Sequence, residues 1–155
     1  MAAEISERDK QLARELWQLV EKDYAAVGNI LFRELFTAYP DYIKYFERMK
    51  ASPDQDIFES ARFKKHMVSA LFPSIALLLK NLDDPEKLAE QLKVIGVNHK
   101  KRNLHRAQFE ALHKIIIDTF KKTLPEQFTS EVESAWNKIL GVAFDKISSH
   151  LDNQC

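Results

Sequence analysis

Two histidines stand at positions where apolar residues are the norm. In the stretch FKKHMVSAL (63–71), His66 shares helical spacing with Phe63, Ala70 and, further on, Leu77. His99 closes a second stripe, Leu88, Leu92 and Ile95, at steps of 4, 3 and 4, just before the polar run Lys100, Lys101 and Arg102. A buried neutral imidazole needs one donor and one acceptor partner. Neither apolar face offers an obvious acid. One such histidine is accounted for by ordinary core hydrogen bonds. Two of them, on separate helices, raise a second chemistry: a metal between the helices that takes one nitrogen of each, or one directly and the other through a bound ligand.

The residue inventory narrows the metal. Structural zinc wants four protein ligands, and a single cysteine, Cys155, at the last position cannot help supply them. A di-iron carboxylate bundle wants Glu-x-x-His on two helices. Glu110–His113 is one match without a second, and it reads as a solvated helix edge. Haem needs only one or two axial ligands and a large apolar pocket. Two histidines across an aromatic interior suit it best, and ten phenylalanines in 155 residues are enough to wall it.

Composition excludes other classes. Twenty-three basic residues balance twenty-three acidic ones, so the chain has no general attraction to nucleic acid or to an anionic membrane. The run HKKR (99–102) is too short to alter that. No apolar run nears the ~20 residues of a membrane span, and MAAEISERDK at the start lacks a hydrophobic signal segment. The expectation is one soluble, cytoplasmic domain over 1–155 with frayed ends at 1–5 and 151–155, and with Cys155 a free thiol.

The elements that must position the histidines are helices. Three glycines are too few for the turns of a sheet-rich fold. Apolar periodicity predicts helices over about 6–22, 24–38, 57–81, 84–100, 106–122 and 130–150, with a short turn after Pro40 and with DQDIFES either a short helical piece of its own or the start of the third helix. Pro73 falls inside that long third helix. Asp84-Pro85-Glu86 has the form of a capped helix start, and Ser130 to Glu133 fits a capping box. The class is all-α.

Over nearly its whole length the chain resembles the globins. LFTAYPDYIKYF (35–46) is similar to the end of the family's second helix, its proline-led third helix and the phenylalanine that packs on the haem. FKKHMVSAL resembles the fifth helix at the distal histidine. IGVNHKKRNLHRAQFEAL (95–112) resembles the proximal histidine followed by an arginine, an aliphatic residue and the next helix's phenylalanine, here Arg102, Leu104 and Phe109. Trp17 and Trp136 fall where globins often carry tryptophan. The resemblance implies a globin fold of about seven to eight helices around a pocket for haem b (iron protoporphyrin IX). It makes His99 the proximal iron ligand and sets His66 facing the sixth coordination position. Phe32 lines the distal pocket, Phe46 packs on the porphyrin and Ala70 sits over the iron. Ile95, Leu104 and Leu112 line the proximal and lower pocket, with Arg48 and Arg102 at the edge near the propionates.

Three departures matter. Ala70 is smaller than the family's usual valine, Phe32 is bulkier than the usual leucine, and His66 to His99 spans a slightly long 33 residues that include Pro73. The function the resemblance implies is reversible binding of O2, NO and CO, for oxygen storage, transport or supply. The alternative is a bis-histidyl globin similar to neuroglobin and cytoglobin, in which His66 binds the iron, for sensing, redox or NO chemistry. Space at Ala70 and a movable Pro73-bearing helix favour that swing. A haem-free interaction module is a second class, against which both histidines and Phe46 stand. NO dioxygenation or peroxidase-like activity is a third and would need an external reductase.

Overall fold

The architecture is that of a computed structural model, which describes residues 5–66, 71–100, 104 and 106–152, without the side chains of 48, 66 and 150–152. Seven α-helices occur among the described residues: α1 (Glu7–Glu21), α2 (Tyr24–Ala38), α3 (Ala61–His66), α4 (Phe72–Asn81), α5 (Pro85–Lys100), α6 (Arg106–Thr123) and α7 (Ser130–Asp152). Two 3-10 stretches, Pro40–Met49 and Ile57–Glu59, join α2 to α3. No strand appears among the described residues. The termini 1–4 and 153–155, with Cys155, lie outside them.

The helices begin where side chains satisfy their orphan N–H groups. Ser6 and Asp9 form a reciprocal capping box on α1. Asp84 accepts from the Lys87 N–H at 3.2 Å, as the Asp-Pro-Glu start of α5 predicts. Two predicted starts are corrected. On α7 the cap is Thr129, one residue before Ser130, because the Thr129 hydroxyl accepts from the Val132 N–H at 3.3 Å. DQDIFES holds a short helical piece of its own, the first of its two readings, and the helix predicted from 57 begins only at Ala61. Residues 57–59 wind as a 3-10 turn, and the Ser60 hydroxyl accepts from the Phe63 N–H at 3.1 Å.

Pro73 is the second residue of α4 as described, and the predicted continuity of the third helix up to it falls on residues outside the described ones. Residues 67–70, which would join α3 to α4, lie outside the described residues.

The α5–α7 and α6–α7 pairs and the α1–α7 and α2–α6 contacts close the core. Trp17 of α1 and Trp136 of α7 meet at 6.0 Å between ring centroids, and Phe120 of α6 packs edge-on against Trp136 at 4.9 Å. The predicted apolar face of α7 is buried at Val132, Trp136, Ile139, Leu140, Ala143 and Ile147. Leu77 departs from expectation. It is 45% exposed, because α4 turns Ile75, Leu78 and Leu79 inward instead.

Asp9 ties α1 to α7 as well as capping it. It is 6% exposed, accepts from the Ser6 N–H at 3.0 Å and pairs with Lys138 at 3.2 Å. The Ser6 N–H holds its carboxyl below the usual carboxylate range, against the opposing push of burial and with help from the Ser6 side chain and Lys138. A lowered folded pKa contributes stability that is present above the unfolded value of 3.8 and is lost as pH falls through the folded value. Asp9→Ala is therefore expected to cost about 1.5–3 kcal/mol at neutral pH. Denaturant melts of both chains should converge as the pH drops below 3.8.

Candidate functional site

The 3-10 stretch, α2, α3 and α6 bring together an aromatic wall. The Phe63 ring meets Phe32 at 4.9 Å, Phe46 at 5.3 Å and Phe58 at 5.8 Å, all edge to face. Such pairs contribute about 0.5–1.5 kcal/mol each beyond area burial. They fix the rings of Phe32 and Phe46 on the side that faces a cavity.

That cavity opens to solvent on one side, and its wall includes Phe32, Leu35, Phe46, Met49, Leu71, Leu104, Phe109 and Leu112. The polar side chains on its wall are His99, Gln108, Tyr42 and Tyr45. A second space adjoins it, sharing Leu71, His99, Phe109 and Leu112, and runs inward past Ile75, Leu92, Ile95, Ile116 and Leu140. His99 thus borders both spaces.

Contacts with Ile95, Leu104 and Phe109 are among those that hold His99. Its Nδ1 lies 2.7 Å from the carbonyl oxygen of Ile95, one turn back on α5. A carbonyl only accepts, so Nδ1 carries the proton and Nε2 the lone pair of the neutral ring. The backbone carbonyl of His99 accepts from the Leu104 N–H at 3.2 Å, which ties the end of α5 to the chain leading into α6. Phe109 of α6 meets the imidazole edge-on at 5.4 Å. The missing acid partner on this face is therefore answered by backbone: Ile95 orients the ring without adding charge to the cavity. Farther along α5, Gln91 donates to the Ser74 carbonyl at 2.9 Å and accepts from Asn81 at 3.0 Å, which anchors α5 on α4.

The structure brings Phe32, Phe46, His99, Leu104 and Leu112 to the first cavity and Ile95 to the second. His66 ends α3, and Arg48 lies in the 3-10 stretch, but the side chains of both fall outside the described residues. Ala70 and Arg102 lie outside them altogether. Tyr42, Tyr45, Met49, Leu71 and Gln108 also border the cavity, and sequence reasoning did not single them out. A signal was present for some of them. Tyr39, Tyr42 and Tyr45 recur at steps of three, the period that aligns side chains on one face of a 3-10 helix.

A joint connects this wall to the helix that ends at His66. Ser60, 2% exposed, donates its hydroxyl hydrogen to the Met49 carbonyl while accepting from the Phe63 N–H. One hydroxyl thus fixes both the end of the 3-10 stretch and the start of α3. The Glu110–His113 pair behaves as the solvated edge expected. Glu110 is exposed, and His113 Nε2 lies 2.9 Å from the Asn137 side-chain oxygen. No group of three or more potential metal-binding acids, histidines or cysteines clusters among the described residues, and no described helix is long and apolar enough to cross a membrane.

Among the described residues, an apolar space reached by one oriented imidazole and few other polar groups suits a flat, hydrophobic, metal-bearing ring. Comparison with known proteins agrees in fold. The Globin family description matches residues 30–147. Cytoglobin-2 of Oryzias latipes is 23% identical over 92% of this chain and 80% of its own. The Globin-2 A chain of Anadara inaequivalvis is 27% identical over 88% of this chain and 89% of its own. A crystal structure of a hexacoordinated heme protein from an anhydrobiotic tardigrade, at pH 4, superposes with a TM-score of 0.82 over 96% of both chains at 22% identity. The architecture, the cavity and the match over most of its length agree: the chain belongs to the globin family.

Proposed function

We propose that the chain binds haem b in the twin cavity, with His99 as the axial ligand, and uses it to bind a diatomic gas reversibly. The observation that carries this reading is the His99 ring, whose Nδ1 is committed to Ile95 at 2.7 Å inside an apolar cavity. Haem bound there would supply an iron that His99 could hold and that could take up O2, NO or CO. The protein's own residues do the rest. The Ile95 carbonyl fixes the tautomer that leaves Nε2 as a ligand, a support that raises ligand basicity and sets ring orientation. Phe32, Phe46 and the aliphatic walls exclude water from the reacting face. Ile95 and Leu112 support the lower side, and Arg48 and Arg102 pair with the propionates at the rim.

His66 decides between two modes. As a hydrogen-bond donor to a bound gas it stabilises the complex by roughly 1.5–3 kcal/mol. As an iron ligand it competes with the gas. A bis-histidyl form favoured about a hundredfold lowers apparent gas affinity about a hundredfold, ~2.7 kcal/mol. The structural likeness to a hexacoordinated heme protein favours keeping this second mode in view. In it the chain serves sensing, redox or NO chemistry with an external reductase, in place of oxygen storage or supply. If position 70 sits over the iron as the resemblance implies, alanine there would leave His66 room to move.

The visible spectrum of the reduced, ligand-free, haem-loaded chain separates the modes. One broad visible band identifies the open iron of the gas-carrying mode. Two sharp bands identify His66 on the iron, and they should give way to the single band in His66→Ala. Two sharp bands that persist in His66→Ala would exclude His66 as the second ligand.

A further inference from the structure

The cavity wall carries a feature that gas binding does not use. Tyr42 and Tyr45 both border the cavity. The Tyr42 ring stacks on Tyr39 at 4.8 Å and 9°, and meets Tyr45 at 5.9 Å. All three are half-buried, so the cluster reaches from the cavity wall to solvent. The other aromatic side chains on that wall, Phe32, Phe46 and Phe109, have no phenolic proton to lose and are far harder to oxidise. Lys44 sits 5.3 Å from the centre of the Tyr45 ring, and a cation there disfavours removing an electron from Tyr45. The easier route is therefore Tyr42 to Tyr39. Gln108 hydrogen-bonds the Tyr42 side chain.

We propose that Tyr42 and Tyr39 form a one-electron relay, through which a hydroperoxide held in the cavity oxidises a small reductant of the phenol or ascorbate class at the surface. This inference rests on the haem reading above. The hydroperoxide takes up two electrons and two protons, its O–O bond breaks, and an alcohol and water form. Each electron reaches the cavity from Tyr39 through Tyr42, and Tyr39 becomes a neutral radical as its phenolic proton passes to water, which also supplies the two protons taken up in the cavity. Each radical then takes one electron and one proton from a reductant molecule at the surface. In sum, one hydroperoxide and two phenols give one alcohol, one water and two phenoxyl radicals. The reductant never enters the cavity.

A second set of oxidisable rings supplies the control. Trp136, Trp17 and Tyr24 are also in contact, at 6.0 and 5.8 Å, but none of them borders either cavity. The experiment treats the haem-loaded chain with stoichiometric hydrogen peroxide and a nitroso spin trap. The radical is read by electron paramagnetic resonance and its site by peptide mass mapping. The expected adduct is on Tyr39. It moves to Tyr42 in Tyr39→Phe, disappears from Tyr39 in Tyr42→Phe, and is unchanged in Tyr24→Phe. Phenylalanine keeps each ring in place, and an unchanged Soret band verifies that the pocket is intact. A Tyr39 adduct that survives Tyr42→Phe, or a wild-type adduct on Trp17, Trp136 or Tyr24, overturns the relay and leaves the haem reading standing. A wild-type chain with no Soret band after haem addition overturns both.

Discussion

Replacing His99 by alanine is expected to weaken haem binding by well over a hundredfold. Loss of an outer-shell partner of a metal ligand alone costs about 10–100-fold in affinity, and this substitution removes the coordinate bond itself. Nothing else on the described cavity wall supplies a comparable ligand. The remaining candidates are two phenols, an amide and the Met49 thioether, none of which borders both spaces as His99 does. The fold should survive the change. His99 is half-buried at the end of α5, and that helix remains anchored through Gln91 on Ser74 and Asn81. Transfer of haem to an excess of a high-affinity acceptor protein measures the effect as a dissociation rate. His99→Ala should release haem far faster than wild type while its far-ultraviolet dichroism stays unchanged. Equal release rates would remove His99 from the site.

The largest effect on stability is expected from Phe63→Ala. Phe63 is fully buried and lies against four phenylalanines, Phe32, Phe36, Phe46 and Phe58. Truncating a buried phenylalanine costs about 3–5 kcal/mol, which combines lost transfer energy and the cavity left behind. That is a large share of the 5–15 kcal/mol that holds a typical domain folded. The damage also has a direction. Phe63 sits three residues before His66 on α3, directly after the Ser60 joint, and behind the two rings that face the cavity. The substitution should therefore loosen the distal wall as well as lower the midpoint of urea unfolding. Phe63→Leu keeps most of the buried surface and should lose much less. A cost below about 1 kcal/mol for alanine would mean that the site collapses to fill the gap, and that the aromatic wall is less rigid than the ring geometry implies.

Much of this arrangement was legible in the sequence. Apolar periodicity set the spans of α1, α2, α5 and α6 to within a residue or two, because each helix buries one continuous stripe. The oddity of His99 on such a stripe pointed to the cavity it borders. The failures have local causes. Leu77 shares the spacing of Phe63 but not its environment, since α4 buries Ile75, Leu78 and Leu79 and leaves Leu77 exposed. The α7 cap lies at Thr129 because two adjacent hydroxyl residues compete for one role, and only geometry separates them. Ser60 was hidden for a similar reason: its importance comes from the carbonyl of Met49, eleven residues away. Tyr42, Tyr45 and Met49 were overlooked because the segment after Pro40 was read as a short turn, whereas it winds for ten residues as a 3-10 stretch. The tautomer of His99 is set by a backbone oxygen, which no side-chain motif announces.

Titration of the purified, haem-free wild-type chain with haem, followed at the Soret band, tests the central claim most directly. The account predicts a sharp new band that rises linearly to an end point of one haem per chain, and loss of that sharp end point in His99→Ala. A titration with no such band, or one whose end point is the same in His99→Ala, would contradict it.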